Sequence, residues 1–130
     1  MATAAQYAAT PRAAVAQVTA ANTNRDGTGT LVTVFTGAST GSRIDDLVVQ
    51  ATGTTTAGMV RLYLSLDNGT TNRLIHEIPV SAITPSGTVA AFKAQLFDLA
   101  LLLPNASALL RASTHNAETF NIAVTRGGDF

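Results

Sequence analysis

A chain of 130 residues with 8 basic and 8 acidic side chains has zero formal net charge and the length of one domain. Hydrophobic residues make up 46% of it, 23 of them Ala; Thr supplies 20 residues, charged types only 12%, and Cys and Trp none. Zero Cys excludes disulfide scaffolds, thiolate catalysis and Cys-ligated zinc, and a neutral, scattered charge lacks the footprint that nucleic acid or an anionic membrane requires.

Residues 1–12 are Ala, Thr and Gln with one Tyr, ending in Pro11-Arg12, and they offer no periodic set of large apolar side chains. They are expected to form a flexible N-terminal arm, with the folded domain running from 13 to 130. Residues 2–10 have neither a positive charge nor a Leu-rich stretch, so no secretory signal is expected. The N-x-[ST] matches at Asn68 and Asn105 are therefore read as turns. From Ala13 the pattern becomes period two, and 14–20 is the first strand candidate.

Asn22-x-Asn24-x-Asp26-Gly27 has the alternating oxygens that begin a calcium loop. The twelfth position is Thr33 rather than a bidentate Glu, so Asx-turns leading into a strand at 30–36 explain these residues and no metal is expected. Gly37-Ala38-Ser39-Thr40-Gly41 matches the G-x-S-x-G nucleophile elbow, which needs a strand-to-helix turn to raise its Ser. The sequence after Gly41 reads as another strand, and Ser39 is expected not to be catalytic.

Asp45-Asp46 marks a bulge or a charged edge before a strand at Leu47, Val49 and Ala51. Val60, Leu62, Leu64 and Leu66 alternate with Met59, Arg61, Tyr63 and Ser65, which predicts one buried and one wetter face. Asp67-Asn68-Gly69-Thr70 supplies the positive φ angles of a tight hairpin, making 73–80 the antiparallel partner. His76 and Glu77 are adjacent there, point to opposite faces and cannot share a ligand.

Ala90, Phe92, Ala94 and Leu96 give the next strand after Pro85-Ser86-Gly87. The apolar run Leu99–Leu103, stopped by Pro104, is far short of the ~20 residues that span a bilayer. It is a core segment, with a helical turn over 97–103 as the other reading. Strands at 108–114 and at Phe120, Ile122 and Val124 follow, the last closed by Gly127-Gly128. Between them His115 and Glu118 lie in a polar turn where a structural role is expected, so His115 is not expected to be catalytic.

About eight short strands between Gly, Asn, Pro and Thr-rich turns, with no amphipathic helix of ten residues, predict an all-β antiparallel sandwich, jelly-roll-like. The expected core is Val60, Leu62, Leu64 and Leu66 with Leu47, Val49, Phe92, Leu96, Phe120, Ile122 and Val124. No P-loop or dinucleotide motif is present, so no cofactor is expected.

Three strings, from Ala21 to Thr30 with Asn22-Thr23-Asn24-Arg25-Asp26-Gly27, from Ala51 to Leu62, and from Leu110 to Asn121, resemble a group of small proteins of tailed bacteriophages and prophages. The resemblance covers residues 11 to 130 and includes the terminus Gly127-Gly128-Asp129-Phe130. Pro104-Asn105-Ala106-Ser107 replaces the group's Gly-Trp type of turn. It implies a virion or phage-assembly setting without catalysis: a capsid cement or decoration protein, made in the host cytoplasm and attached to the capsid surface. Its partners would be the major capsid protein and its own copies, as a homotrimer at threefold sites, with no nucleic acid and no membrane. In the arm, Tyr7, Pro11 and Arg12 are the expected partner-binding residues, since a segment ordered on contact can reach a neighbouring subunit. The alternative is a tail or spike module binding host glycan or another tail protein, although glycan sites commonly stack sugars on exposed aromatics and Trp is absent here. A small hydrolase would rest on Ser39 and an unplaced His.

Overall fold

The computed structural model describes residues 8–130, in which every regular element is a strand. In chain order these are β1 (Thr10–Pro11), β2 (Ala14–Val18), β3 (Val32–Thr36), β4 (Ser42–Ala51), β5 (Gly58–Ser65), β6 (Arg73–Val80), β7 (Lys93–Leu96), β8 (Leu101–Leu103), β9 (Leu109–Thr114) and β10 (Phe120–Asp129). All ladders between them are antiparallel. One sheet has β10 and β4 at its centre, with β1 and β2 in succession along the outer side of β10 and β7 and β8 along the outer side of β4. The second sheet has the order β3-β9-β5-β6.

The expected eight strands are thus eight positions, of which the two edges of the first sheet are each broken in two. Every connection crosses between the sheets except those within an edge and the β5–β6 hairpin. This is jelly-roll connectivity.

Period-two patterning produces the core as expected for most positions. Leu47, Val49, Phe120, Ile122 and Val124 from one sheet meet Val60, Leu62, Leu110 and Ala112 from the other, and all are buried. Phe92 packs edge-on against Phe120, with ring centroids 6.3 Å apart at 87°.

Several expectations need correction. Leu66 lies beyond the end of β5 and is 57% exposed, and Leu64 is only half-buried at that strand's last turn toward the hairpin. Leu96 is half-buried on an edge strand. The face holding Arg61 and Tyr63 is not wet: both side chains are fully enclosed. Over 97–103 the chain is neither helical nor one continuous strand, because Asp98 (φ 54°) and Ala100 (φ 48°) adopt left-handed conformations that part β7 from β8. Gly127 and Gly128 do not close β10 but lie inside it. A Cβ on Gly128 would stand 2.6 Å from the Thr10 carbonyl oxygen, so glycine there admits the N-terminal strand.

The Asp45-Asp46 irregularity is present, as register shifts where Arg126 opposes Asp46, in a central strand rather than an edge. Asn68 (φ 59°) and Gly69 (φ 89°) make the expected tight turn.

Candidate interaction surfaces

The N-terminal boundary is fixed by one arginine. Strand pairing begins at Thr10, two residues before the expected end of the arm, with Thr10 opposite Asp129 and Pro11 opposite Gly128. Arg12 then turns its guanidinium inward over the buried Phe35 ring, 3.9 Å from the centroid. It donates to the Asp129 carboxylate (2.9 Å), to the Thr36 carbonyl (2.6 Å) and to Ser42 Oγ (3.3 Å). The Ser42 hydroxyl donates to the same carboxylate at 2.7 Å. Hydrogen bonds from Ser42 and then Arg12 hold the Asp129 carboxyl below the usual carboxylate range. Of the three residues expected to bind a partner, Pro11 and Arg12 are therefore built into the sandwich edge, while Tyr7 lies outside the described residues.

The outer face of the β3-β9-β5-β6 sheet is sealed by the chain's own β2–β3 connection. Arg61 of β5 reaches Glu77 Oε2 of β6 (3.1 Å), the Asn22 carbonyl (3.3 Å) and His115 Nδ1 (3.3 Å). A guanidinium has no acceptor, so Nδ1 accepts. Glu77 Oε2 also accepts from Arg25 of the covering loop at 2.8 Å. That bond is the main cause of a depressed Glu77 carboxyl, with Arg61 adding to it against the desolvation of burial. Tyr63 donates to the Asn24 carbonyl, and Arg111 reaches the Leu31 carbonyl and Asn72 Oδ1.

Asn22, Asn24 and Asp26, the oxygens of the calcium-like string, make the loop itself. Asn22 donates to the carbonyls of Thr28 and Thr30, its Oδ1 caps the Asn24 amide, and Asp26 accepts from Thr28. Among the described residues no group of three His, Cys, Asp or Glu is placed to hold a metal ion.

The outer face of the other sheet has no such cover among the described residues. Register aligns two rows across it: Val15, Ala123, Val48 and Gln95, then Gln17, Asn121, Gln50 and Lys93. Lys93 is the single charge in both rows. Val15 is 70% exposed, and a shallow depression of about 430 Å³ runs along Ala13, Ala14, Val15, Ala123, Val124 and Thr125.

The remaining candidates do not converge. Ser39 is exposed in a four-residue turn from Ala38 to Gly41, between two strands rather than before a helix. Thr36 pairs with Leu109 at one end of β9, and His115 follows the other end, so Ser39 and His115 are separated by the strand's length, roughly 20 Å. His76 faces the side of Leu62 and Glu77 that of Arg61, as adjacent strand residues must. Glu118 accepts from the amide and hydroxyl of Thr56 rather than meeting His115. The cluster that does form, Arg25, Arg61, Glu77 and His115, is hidden from alternation, which puts Arg61 on the wetter face.

No protein-family model matches the chain, and none of the curated proteins does. Among solved structures it is similar to a chain of the cyanophage Pam1 capsid asymmetric unit, with a TM-score of 0.49 and 12% identity over 98% of this chain and 89% of that one. Chains from the T13 particle and the Gt strain of infectious bursal disease virus align at a TM-score of 0.34 and 14% identity. They take in 90% and 95% of this chain, which spans about a third of theirs, 32% and 34%.

Proposed function

We propose that this chain is a non-enzymatic structural protein of a phage virion, a cement or decoration protein that binds the lattice of the major capsid protein from the outside. The observation that carries the reading is the asymmetry of the two sheets. One outer face is closed by a loop whose Arg25 shares the Glu77 carboxylate with the buried Arg61. The other carries a single charge over the two rows from Val15 to Gln95 and from Gln17 to Lys93 and has no cover among the described residues, which is the character of a surface that meets another protein. Jelly rolls serve both capsids and lectins, so the fold admits the role without fixing it. The resemblance of the Ala21–Thr30, Ala51–Leu62 and Leu110–Asn121 strings to phage proteins supplies the virion setting.

Attachment is stapling rather than chemistry. A lattice repeats the same weak contact, and copies joined as a homotrimer at a threefold site bind with the effective concentration of linked modules. The N-terminal segment adds Tyr7 as its one aromatic anchor, with Pro11 and Arg12 fastened to the sandwich edge. Purified shells mixed with protein carrying Val15→Arg and Ala123→Arg test the face directly. Occupancy is expected to fall while thermal unfolding stays unchanged. Undiminished occupancy, or a copy number in virions that matches the single tail rather than the shell, would refute the reading.

A further inference from the structure

We propose that this chain assembles with copies of itself through a knob and a socket, Phe97 and Asp98 of one copy seating in the groove that Leu64, Leu66, Ile75 and Arg73 form on the next. The knob is held out from the edge between β7 and β8. Phe97 is 66% exposed, and the bulge behind it is pinned by the Leu99 amide donating to the Asp45 carbonyl (2.7 Å) and the Asp98 amide to Asp46 Oδ1 (3.1 Å). A backbone already fixed where its side chain projects gives up little freedom on docking.

The socket is a groove of about 410 Å³ at the far end of β5 and β6. Its apolar floor is Leu64 with the exposed Leu66 and Ile75, and Arg73 stands at its wall. Charge complementarity selects the occupant. Among the described residues neither the Arg73 guanidinium nor the Asp98 carboxylate has a hydrogen-bond or ion-pair partner, and Asp98 adjoins the aromatic ring that fits the apolar floor. Asp67, at the other lip, has its carboxylate engaged by the Ser65 hydroxyl and the Thr71 amide.

The two features are also placed for closure. β2 lies against β3 on one flank of the sandwich, so β7, β8 and β6 share the opposite flank. Leu103 of β8 approaches Gly37, which bonds Ala108 beside the Ser65 end of β5, so the edge that carries the knob runs to the socket's end of the sandwich, with Phe97 and Asp98 set back beside Asp45 and Asp46 midway along β4. Neighbouring complementary patches can lie around one symmetry axis and close a ring instead of running on as a filament.

This inference names the interface of the oligomer that the proposed function includes and does not depend on the virion setting. The test is the molar mass of the full chain in solution by light scattering over a range of concentrations. The wild type is expected as a closed oligomer. Asp98→Arg, Arg73→Asp and Phe97→Ser are each expected to yield the single-chain mass of 13.4 kDa with unchanged circular dichroism. Combining Asp98→Arg with Arg73→Asp should restore the oligomer. A wild type that stays monomeric, single reversals without effect, or a double variant that fails to reassemble would each overturn the proposal. If the monomeric wild type binds shells and Asp98→Arg releases it, the occupant is the shell protein, and this inference and the homotrimer fail while attachment to the shell stands. An oligomer that ignores shells refutes the virion reading alone.

Discussion

Arg61 shows how a charge can be taken wholly out of water without being stranded. Its three partners come from three segments: Glu77 across the ladder, the Asn22 carbonyl from the covering loop, and His115 from the β9–β10 turn. Desolvating a guanidinium is costly, and the arrangement offsets that cost only while each donor has an acceptor. Arg61→Ala removes a fully enclosed side chain that ties the loop to the sheet, so a loss of ~2 to 5 kcal/mol is expected from denaturant unfolding, as for other large-to-small changes at buried sites. Glu77→Gln leaves Arg61 buried without a carboxylate and is expected to destabilise as well; an effect near zero would show that water, not Glu77, compensates the charge. The carboxyls of Glu77 and Asp129 are both held below their ordinary value, the first mainly by Arg25 and the second mainly by Ser42. A carboxyl that is a stronger acid in the folded than in the unfolded chain contributes stability above its unfolded value, about 4, and loses it as pH falls through the folded one. Thermal midpoints measured from pH 6 downward are therefore expected to hold until about pH 4 and then decline, and Asp129→Asn should flatten part of that decline.

At the scale of the element, β5 separates what a pattern can state from what its neighbours decide. Alternation assigns the core face correctly: Val60, Leu62 and Leu64 oppose Thr114, Ala112 and Leu110 of β9 without a break. It does not say where the opposing sheet ends, and Leu64 lies at that limit. Leu62→Ala should therefore cost ~2 to 5 kcal/mol and Leu64→Ala distinctly less; equal losses in urea would place Leu64 in the core after all. The hairpin teaches the same lesson about register. Counting outward from Asn68-Gly69 gives the pairs seen next to the turn, Leu64 with Arg73 and Tyr63 with Leu74. One extra residue at Ile75 then shifts the ladder, so Arg61 meets Glu77 instead of His76. A bulge leaves no mark that alternation detects, and the ion network of the sealed face was illegible for that reason. The bare face of the first sheet was illegible too, because uncovered Ala, Val and Gln look like ordinary strand residues until register lines them up. Gly128, by contrast, has a reason visible only in three dimensions. Gly128→Ala would press a methyl group into the Thr10 carbonyl. It is expected to part β1 from β10 and speed hydrogen exchange at the Arg12 amide, which bonds Gly127, while leaving exchange in β5 unchanged.

For the molecule as a whole, the chain termini and the bare sheet belong to one structure. Thr10, Pro11 and Arg12 fasten the start of the described chain to the last residues of β10, at the edge of the sheet whose outer face is uncovered. The described chain thus starts from a fixed anchor at that edge. Ordering a backbone costs ~1 to 2 kcal/mol per residue, and the first seven residues bring one aromatic side chain, Tyr7, toward offsetting it. Under the cement reading the shell supplies the rest. Deleting residues 1–7 spares the Thr10–Asp129 and Pro11–Gly128 pairs and the Arg12 bonds. The truncated protein is therefore expected to unfold at the same temperature as the full chain and to bind shells more weakly, and Tyr7→Ala should reproduce much of that loss. Capsid occupancy and thermal unfolding, measured side by side, separate the outcomes. A lowered unfolding temperature would mean that the first seven residues pack on their own sandwich, and unchanged occupancy would leave the bare face to carry the attachment alone.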